Sequence, residues 1–196
     1  MEKHTRKKIT VDDIVVIGFM AALVFVSTKF YIPISTGIDN TRIHFGNIFC
    51  LLAGLLFGGL RGGTAAGIGS MLFDLTDAMY VNTAPFTLIF KFTMGFLCGF
   101  ISYRANRLGK RAGYNFLGAV LGQSVYMILY LSKGFFEAVW FQQIEAQTAW
   151  ISVGIKAATS SINAVFAIVI SVPFALALKK DLNQLEIYKR VMRKKL

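Results

Sequence analysis

Lys29, Lys91, Lys133 and Lys156 stand inside apolar runs or at their edges, where an ionisable side chain is costly unless it faces protein or water. Arg42, His44, Asn47, Asp74, Asp77, Glu137 and Asn163 accompany them along the chain. An ammonium held at low dielectric suits a carboxylate or phosphate, and Tyr126, Tyr130, Trp140 and Trp150 offer flat apolar surface to a ring. The chemistry these residues support is capture of a small polar molecule. It is not catalysis, because His4 lies in the amino-terminal tail and His44 alone is near the other polar groups, so no Ser-His-Asp, Cys-His or paired-His arrangement is available.

Spacing places these residues on shared faces. His44, Asn47, Leu51, Gly54 and Gly58 form one helical stripe, and Gly67, Ser70, Asp74 and Asp77 form a second. Gln123, Tyr126, Tyr130, Lys133 and Glu137 recur at three or four residues, as do Lys156, Ser160 and Asn163. The bland alternative for each is a hydrogen bond or Lys–carboxylate pair that only joins two helices.

The elements that must position them are membrane helices. Of 196 residues, 55% are hydrophobic and 16% charged, with a mean hydropathy of +0.58. That leaves no room for a sizeable water-soluble domain beside the apolar spans, and the whole chain is read as a single membrane domain. A helix crossing a hydrocarbon core of roughly 30 Å needs about 20 residues. On that ruler the chain holds six spans, near 11–30, 43–60, 64–81, 84–103, 114–138 and 151–178. The fold expected is an all-α integral membrane protein of six transmembrane helices. Its first run is too long for a signal peptide and lacks a small-x-small site, so it reads as a retained helix.

Charge gives the orientation. One side receives Lys3, Arg6, Lys7, Lys8, Arg61, Arg104, Arg107, Lys110, Arg111 and the seven basic residues from Lys179 to Lys195, sixteen of the 21 Lys and Arg. The loops of the other side hold only Arg42. Both termini are therefore expected in the cytoplasm, a basic segment 1–10 and a basic tail 179–196 that lies on the anionic inner leaflet as an amphipathic helix. The net charge of +11 is accounted for by these loops, and nucleic acid is excluded as a partner. In this orientation Lys29, Lys91, Lys133, Lys156, Asp39, Asp74, Asp77, Glu137 and Glu145 all fall in the outer half, which implies an outward-facing polar cavity.

Other motifs carry less. The run Gly58-Gly59-Leu60-Arg61-Gly62-Gly63 lacks the Lys-Ser/Thr of a phosphate loop and reads as a tight inner turn. Asp74-Leu-Thr-Asp77 would set two carboxylates on one helical face, yet the further residues of a metal-dependent phosphotransferase are missing, and no metal site is assigned. Cys50 and Cys98 lie within apolar spans as small core residues. Gly18, Ala21 and Ala22 make a small-residue patch on the first helix that lets a neighbouring helix approach closely.

The six-helix size, the basic start leading into a small-residue first helix, and Arg42-Ile43-His44-Phe45-Gly46-Asn47 together resemble the substrate-binding S components of energy-coupling factor (ECF) transporters. The run Leu-Leu-Ala-Gly-Leu-Leu-Phe-Gly-Gly, the segment Gly67-Ile-Gly-Ser70-Met-Leu-Phe-Asp74-Leu and the segment Ala84-Pro-Phe-Thr-Leu-Ile-Phe-Lys91 resemble them too. The resemblance implies a multi-pass protein of the bacterial cell membrane, not itself an enzyme. It would bind a water-soluble vitamin outside and deliver it by docking on a transmembrane coupling subunit and two ABC ATPases. No cofactor is implied in this chain, since ATP and Mg would be used by those partner subunits. The first outer loop, Tyr31 to Arg42, would lid the site, and Gly18, Ala21 and Ala22 would dock the coupling subunit. Gly18 stands where relatives often carry alanine.

Substrate-binding residues expected on this reading are Arg42, His44, Asn47, Asp74, Asp77, Lys91, Tyr126, Tyr130, Lys133, Lys156 and Asn163. The lysines incline the reading to pantothenate, with pyridoxine, riboflavin, folate and cobalamin cargoes open. The competing class is a stand-alone proton-coupled secondary transporter, although inverted repeats and broken helices are not evident.

Overall fold

The computed structural model describes residues 9–38 and 40–193. Asp39, the basic residues Lys3, Arg6, Lys7 and Lys8, and Lys194 and Lys195 lie outside the described residues. The chain forms helices α1 (Val11–Thr28), α2 (Gly46–Phe57), α3 (Gly59–Thr76), α4 (Ala84–Tyr103), α5 (Ala112–Phe136), α6 (Ala146–Leu182) and α7 (Glu186–Arg193). A hairpin of β1 (Tyr31–Ser35) and β2 (Asn40–His44) lies between α1 and α2. Short 3-10 turns precede and follow α4, and a π turn, Glu137–Phe141, extends α5.

Four segments, Val11–Thr28, Val81–Tyr103, Ala112–Phe141 and Ala146–Leu182, are long and apolar enough to cross a membrane. Helix α2 has 12 residues, about 18 Å at 1.5 Å per residue, and is too short to span alone. Helix α3 has 18 residues but carries Arg61, Asp74 and four interior glycines, and its composition falls short of the other four. The reading of six equivalent spans is thus narrowed to four long apolar helices with α2 and α3 packed among them.

Where the sequence reading placed a tight turn across Gly58–Gly63, the reversal occurs at Gly58 alone, whose φ of 84° belongs to the left-handed region. Gly59 to Gly63 already belong to α3. This sharp corner lays α2 directly on α3 and α4. A Cβ on Gly54 would meet the Gly95 carbonyl oxygen at 2.5 Å, and one on Gly99 would run into the Gly58 backbone. Small residues here are what allow three backbones to touch. Leu51, Leu55, Met94, Cys50 and Cys98 fill the space around that crossing, all fully buried.

The start of α1, the Gly58 corner, the end of α4 and α7 gather at one end of the bundle. Asp13 accepts hydrogen bonds from Thr10 N–H at 2.9 Å and Arg61 Nε at 2.7 Å, joining α1 to α3 through a buried ion pair. Tyr103 and Tyr188 both donate to the Leu56 carbonyl, and Arg190 approaches Asp12 at 3.5 Å. Arg61, expected in a loop, is instead part of the bundle's packing, paired with the equally buried Asp13. Tyr188 and Val191 of the basic tail are buried against α2 and its neighbours, so the tail folds back on the bundle as well as presenting basic residues. Both described ends of the chain therefore meet at the same end of the molecule. The hairpin, the turn before α4 and the π turn occupy the other.

Candidate functional site

At that second end, a cavity of about 90 Å³ opens between the hairpin and helices α2 to α6. Ten of the eleven residues expected at the site line it: Arg42, His44, Asn47, Asp74, Lys91, Tyr126, Tyr130, Lys133, Lys156 and Asn163. The eleventh, Asp77, does not. Helix α3 ends at Thr76, and Asp77 follows in an extended conformation. It accepts the Tyr31 hydroxyl at 2.9 Å and the Met79 N–H at 3.0 Å, fastening the base of the hairpin. The expected two-carboxylate helical face is thereby removed. No group of three metal-ligating side chains occurs among the described residues.

His44 departs from expectation in another way. It belongs to β2, not to the α2 stripe, which begins at Gly46. Its Nδ1 accepts the Gly46 N–H at 3.0 Å and so turns the chain from strand into helix. Burial, then the positive charges of Lys91 and Arg42, hold its imidazole well below the ordinary histidine range and therefore neutral.

Lys91, Asn47, Tyr126, Tyr130 and Lys156 form the floor and one wall. Lys91, 3% exposed, donates to the Asn47 side-chain oxygen, with its ammonium 3.8 Å from the centroid of the Tyr126 ring. Asn47 opens α2 and Lys91 lies two turns into α4, so the Gly-mediated contact of these helices is what brings the two together. Tyr126 and Tyr130 stack one turn apart on α5, 6.0 Å between centroids and 11° from parallel. They present one flat wall. The Lys156 ammonium, from α6, reaches to 5.9 Å from the Tyr130 centroid.

The roof is the hairpin. Arg42 donates to Asp74 at 2.6 Å and lies over Tyr80 at 3.8 Å and Phe73 at 4.7 Å. Its Nη1 is buried with no hydrogen-bond partner among the described residues. Asn163 of α6 completes the backbone edge of β2: its side-chain oxygen accepts the His44 N–H at 3.1 Å and its amide donates to the Arg42 carbonyl at 2.8 Å. Ser152 bonds Thr36 at 2.9 Å, and Tyr130 bonds Thr41 at 3.2 Å. Asn163, read from spacing as facing a ligand, lines the cavity and also ties the hairpin to the bundle.

Lys133 pairs with Glu137 one turn on, at the rim. Counting all lining residues, four cations (Arg42, Lys91, Lys133, Lys156) face two carboxylates (Asp74, Glu137). The cavity favours an anionic or strongly electron-rich guest.

Trp140 and Trp150, 70% and 60% exposed, contact Phe136 and Phe135 outside the cavity and supply no ring surface to it. Lys29 is likewise exposed, beside Phe25. Sequence reasoning passed over Tyr80, Thr83, Phe86, Thr87 and Phe90, all of which line the cavity. Their signal was the 83–86/87–90/91 repeat that continues the Lys91 face toward the start of α4. On α1, Gly18 and Ala22 are exposed and a Cβ on Gly18 would meet nothing, whereas Ala21 is buried, with its carbonyl and Cα against Gly69 of α3. Ala21 is a packing residue, and the open small-residue stripe is Gly18 with Ala22.

Comparison with known proteins gives three results. A family model described as the ECF-type riboflavin transporter, S component, matches residues 8–180. An uncharacterized protein in gap 3'region of Pyrococcus woesei is 38% identical over 104 residues, 53% of this chain; the chain spans 64% of that relative's length. A solved structure described as the S component of a bacterial ECF transporter superposes with a TM-score of 0.56 at 17% identity, covering 85% of this chain and 97% of the other. At that identity the likeness is one of fold.

Proposed function

The chain belongs to the ECF-type riboflavin transporter S component family, and from that premise we propose that it captures a flavin-type vitamin outside the cell for an ECF importer. The carrying observation is the cavity beneath the hairpin, where polar faces of five helices meet at the end opposite both described chain ends. A planar ring fits against the Tyr126–Tyr130 wall, and its carbonyl oxygens or an attached anionic group meet Lys91, Lys156 and Arg42.

Pantothenate, favoured by counting lysines, loses ground to riboflavin. Lys133 is engaged by Glu137, which removes one of the lysines that argued for an acid. Membership of a riboflavin-type family favours a flavin as well. The cavity of about 90 Å³ is small for any of these vitamins, so loading requires the hairpin to lift.

Six crossings, with α2 and α3 completing the bundle, and cytoplasmic termini accompany this reading. Basic residues Arg104, Arg107, Lys110 and Arg111 cluster at the end shared by α1 and α7, as the positive-inside rule requires of the inner face. Delivery then falls to a transmembrane coupling subunit and two ATPases that use ATP and Mg, in a cell membrane. The stand-alone proton-coupled reading draws no support from the relatives or from Asp74 and Asp77, which are committed to Arg42 and Tyr31.

The test is titration of the purified chain with riboflavin, followed by flavin fluorescence, beside pantothenate, pyridoxine, folate and cobalamin followed by calorimetry. Saturable binding of one riboflavin per chain is expected. Selective binding of pantothenate would replace the cargo, and binding of none of the five would overturn the assignment.

A further inference from the structure

A second and larger hollow, of about 510 Å³, lies at the opposite end of the molecule, between the Gly58 corner, the end of α4 and α7. Phe57, Leu60, Phe96, Phe100 and Met192 give it apolar walls, and no acidic residue among the described residues lines it. Leu60 and Phe100 are about half exposed, so the hollow opens sideways, toward what would be lipid. Along α4 the rings of Phe92, Phe96 and Phe100 stack one turn apart, 5.8 Å between successive centroids and within 16° of parallel. They make a straight aromatic track leading into the groove.

Two arginines line the groove and differ in state. Arg61 is buried and held by Asp13. Arg104, one turn beyond Phe100, is exposed and has no ion pair among the described residues; Arg107, Lys110 and Arg111 follow it with no acid between. A linear apolar track ending at uncompensated positive charge matches one kind of occupant: a chain of methylenes attached to an anionic phosphate. Basic pockets between helices at an inner membrane face recognise such headgroups by charge, and aromatic walls hold the acyl chain by area.

We propose that this groove is a binding site for one anionic phospholipid, its phosphate at Arg104 and an acyl chain along Phe100, Phe96 and Phe92. The site is separate from the vitamin cavity and requires neither vitamin nor partner subunits. Phosphate free in solution lacks the acyl chain and does not occupy it.

The experiment is native mass spectrometry of the detergent-purified full chain titrated with dioleoyl-phosphatidylglycerol or dioleoyl-phosphatidylcholine. One phosphatidylglycerol is retained per chain, at least five-fold over phosphatidylcholine, and inorganic phosphate does not displace it. R104Q lowers retention to the phosphatidylcholine level. L60W, which fills the groove without touching charge, lowers retention of both lipids, while K180Q, an exposed charge at the end of α6 that does not line the groove, leaves it unchanged. Equal retention of the two lipids overturns the proposal, as does an equal fall in R104Q and K180Q, which marks diffuse surface attraction. Equally contrary is a groove that retains no lipid while L60W blocks assembly with the coupling subunit, since a protein then occupies it. Riboflavin binding by each variant reports folding and also separates the two assignments: intact vitamin binding without lipid selectivity condemns only the lipid site, and lipid selectivity without vitamin binding condemns only the transport reading.

Discussion

Lys91 is the residue on which the cavity most depends. It lies in the bundle with a neutral partner, Asn47, and an aromatic face, Tyr126, so its charge is left for a guest to complete. Removing one side of a buried charged hydrogen bond costs about 1.5–3 kcal/mol, and Lys91→Ala should weaken riboflavin binding on the order of 10–150-fold. Lys133→Ala should have a smaller effect, because its ammonium already serves Glu137 at the rim. Titration of both variants decides, and a larger loss at Lys133 than at Lys91 would invert the assignment of floor and rim. His44 gives a pH test with a definite sign. Its folded value lies well below the free value near 6.5, so below pH 6.5 the unfolded chain binds more protons than the folded one. Stability is therefore full above 6.5 and falls as pH drops toward the folded value. Thermal unfolding in detergent should show a midpoint that declines from pH 7 to pH 5, and His44→Gln should flatten that decline. Parallel curves for the two proteins would exclude His44 as its source.

Among the elements, the helices were legible and the hairpin was not. Apolar runs and their polar interruptions located α1, α4, α5 and α6 because a bilayer imposes length and composition at once. The hairpin was read as an irregular loop with its last residues inside a helix. Its signals were present in Tyr31-Ile-Pro-Ile-Ser35 and Asn40-Thr-Arg-Ile-His44, two β-branched runs around a Thr-Gly turn, but strands of five residues compete poorly with a nearby apolar helix pattern. Spacing put Asn47 on a polar stripe but gave no face to its partner Lys91, and Asn163's partner is a strand edge that no spacing rule could supply. Asn163 makes its prediction at this scale. Asn163→Leu keeps the branched side-chain shape and removes both bonds to β2. Hydrogen exchange should quicken at the His44 amide, with riboflavin leaving faster and affinity lower by about ten-fold, equivalent to about 1.4 kcal/mol. Lost affinity with unchanged His44 protection would make Asn163 a ligand contact and not a latch.

For the whole molecule, the division of labour is between two ends and one side. The end beneath the hairpin holds the cavity, and the opposite end holds the corner, the ion pair Arg61–Asp13 and the basic residues. The side is α1, whose inward face, with Val16, Met20, Ala21 and Val24, packs on the bundle while Gly18 and Ala22 remain uncovered. Small residues on an exposed helix face contribute little to the fold of the single chain, because a Cβ placed on Gly18 would find no atom of another element within 4 Å among the described residues. Their physical use is to admit the backbone of another helix. Gly18→Leu should therefore leave the thermal midpoint and riboflavin affinity of the isolated chain unchanged. In membranes that also contain the coupling subunit and the ATPases, the same variant should fail to co-purify with them and should abolish ATP-dependent uptake. Ala21→Leu should behave in the opposite order, destabilising the isolated chain, since Ala21 already lies against Gly69. The paired measurement separates a docking face from a packing face. Normal assembly and uptake by Gly18→Leu would move the docking surface off α1 altogether.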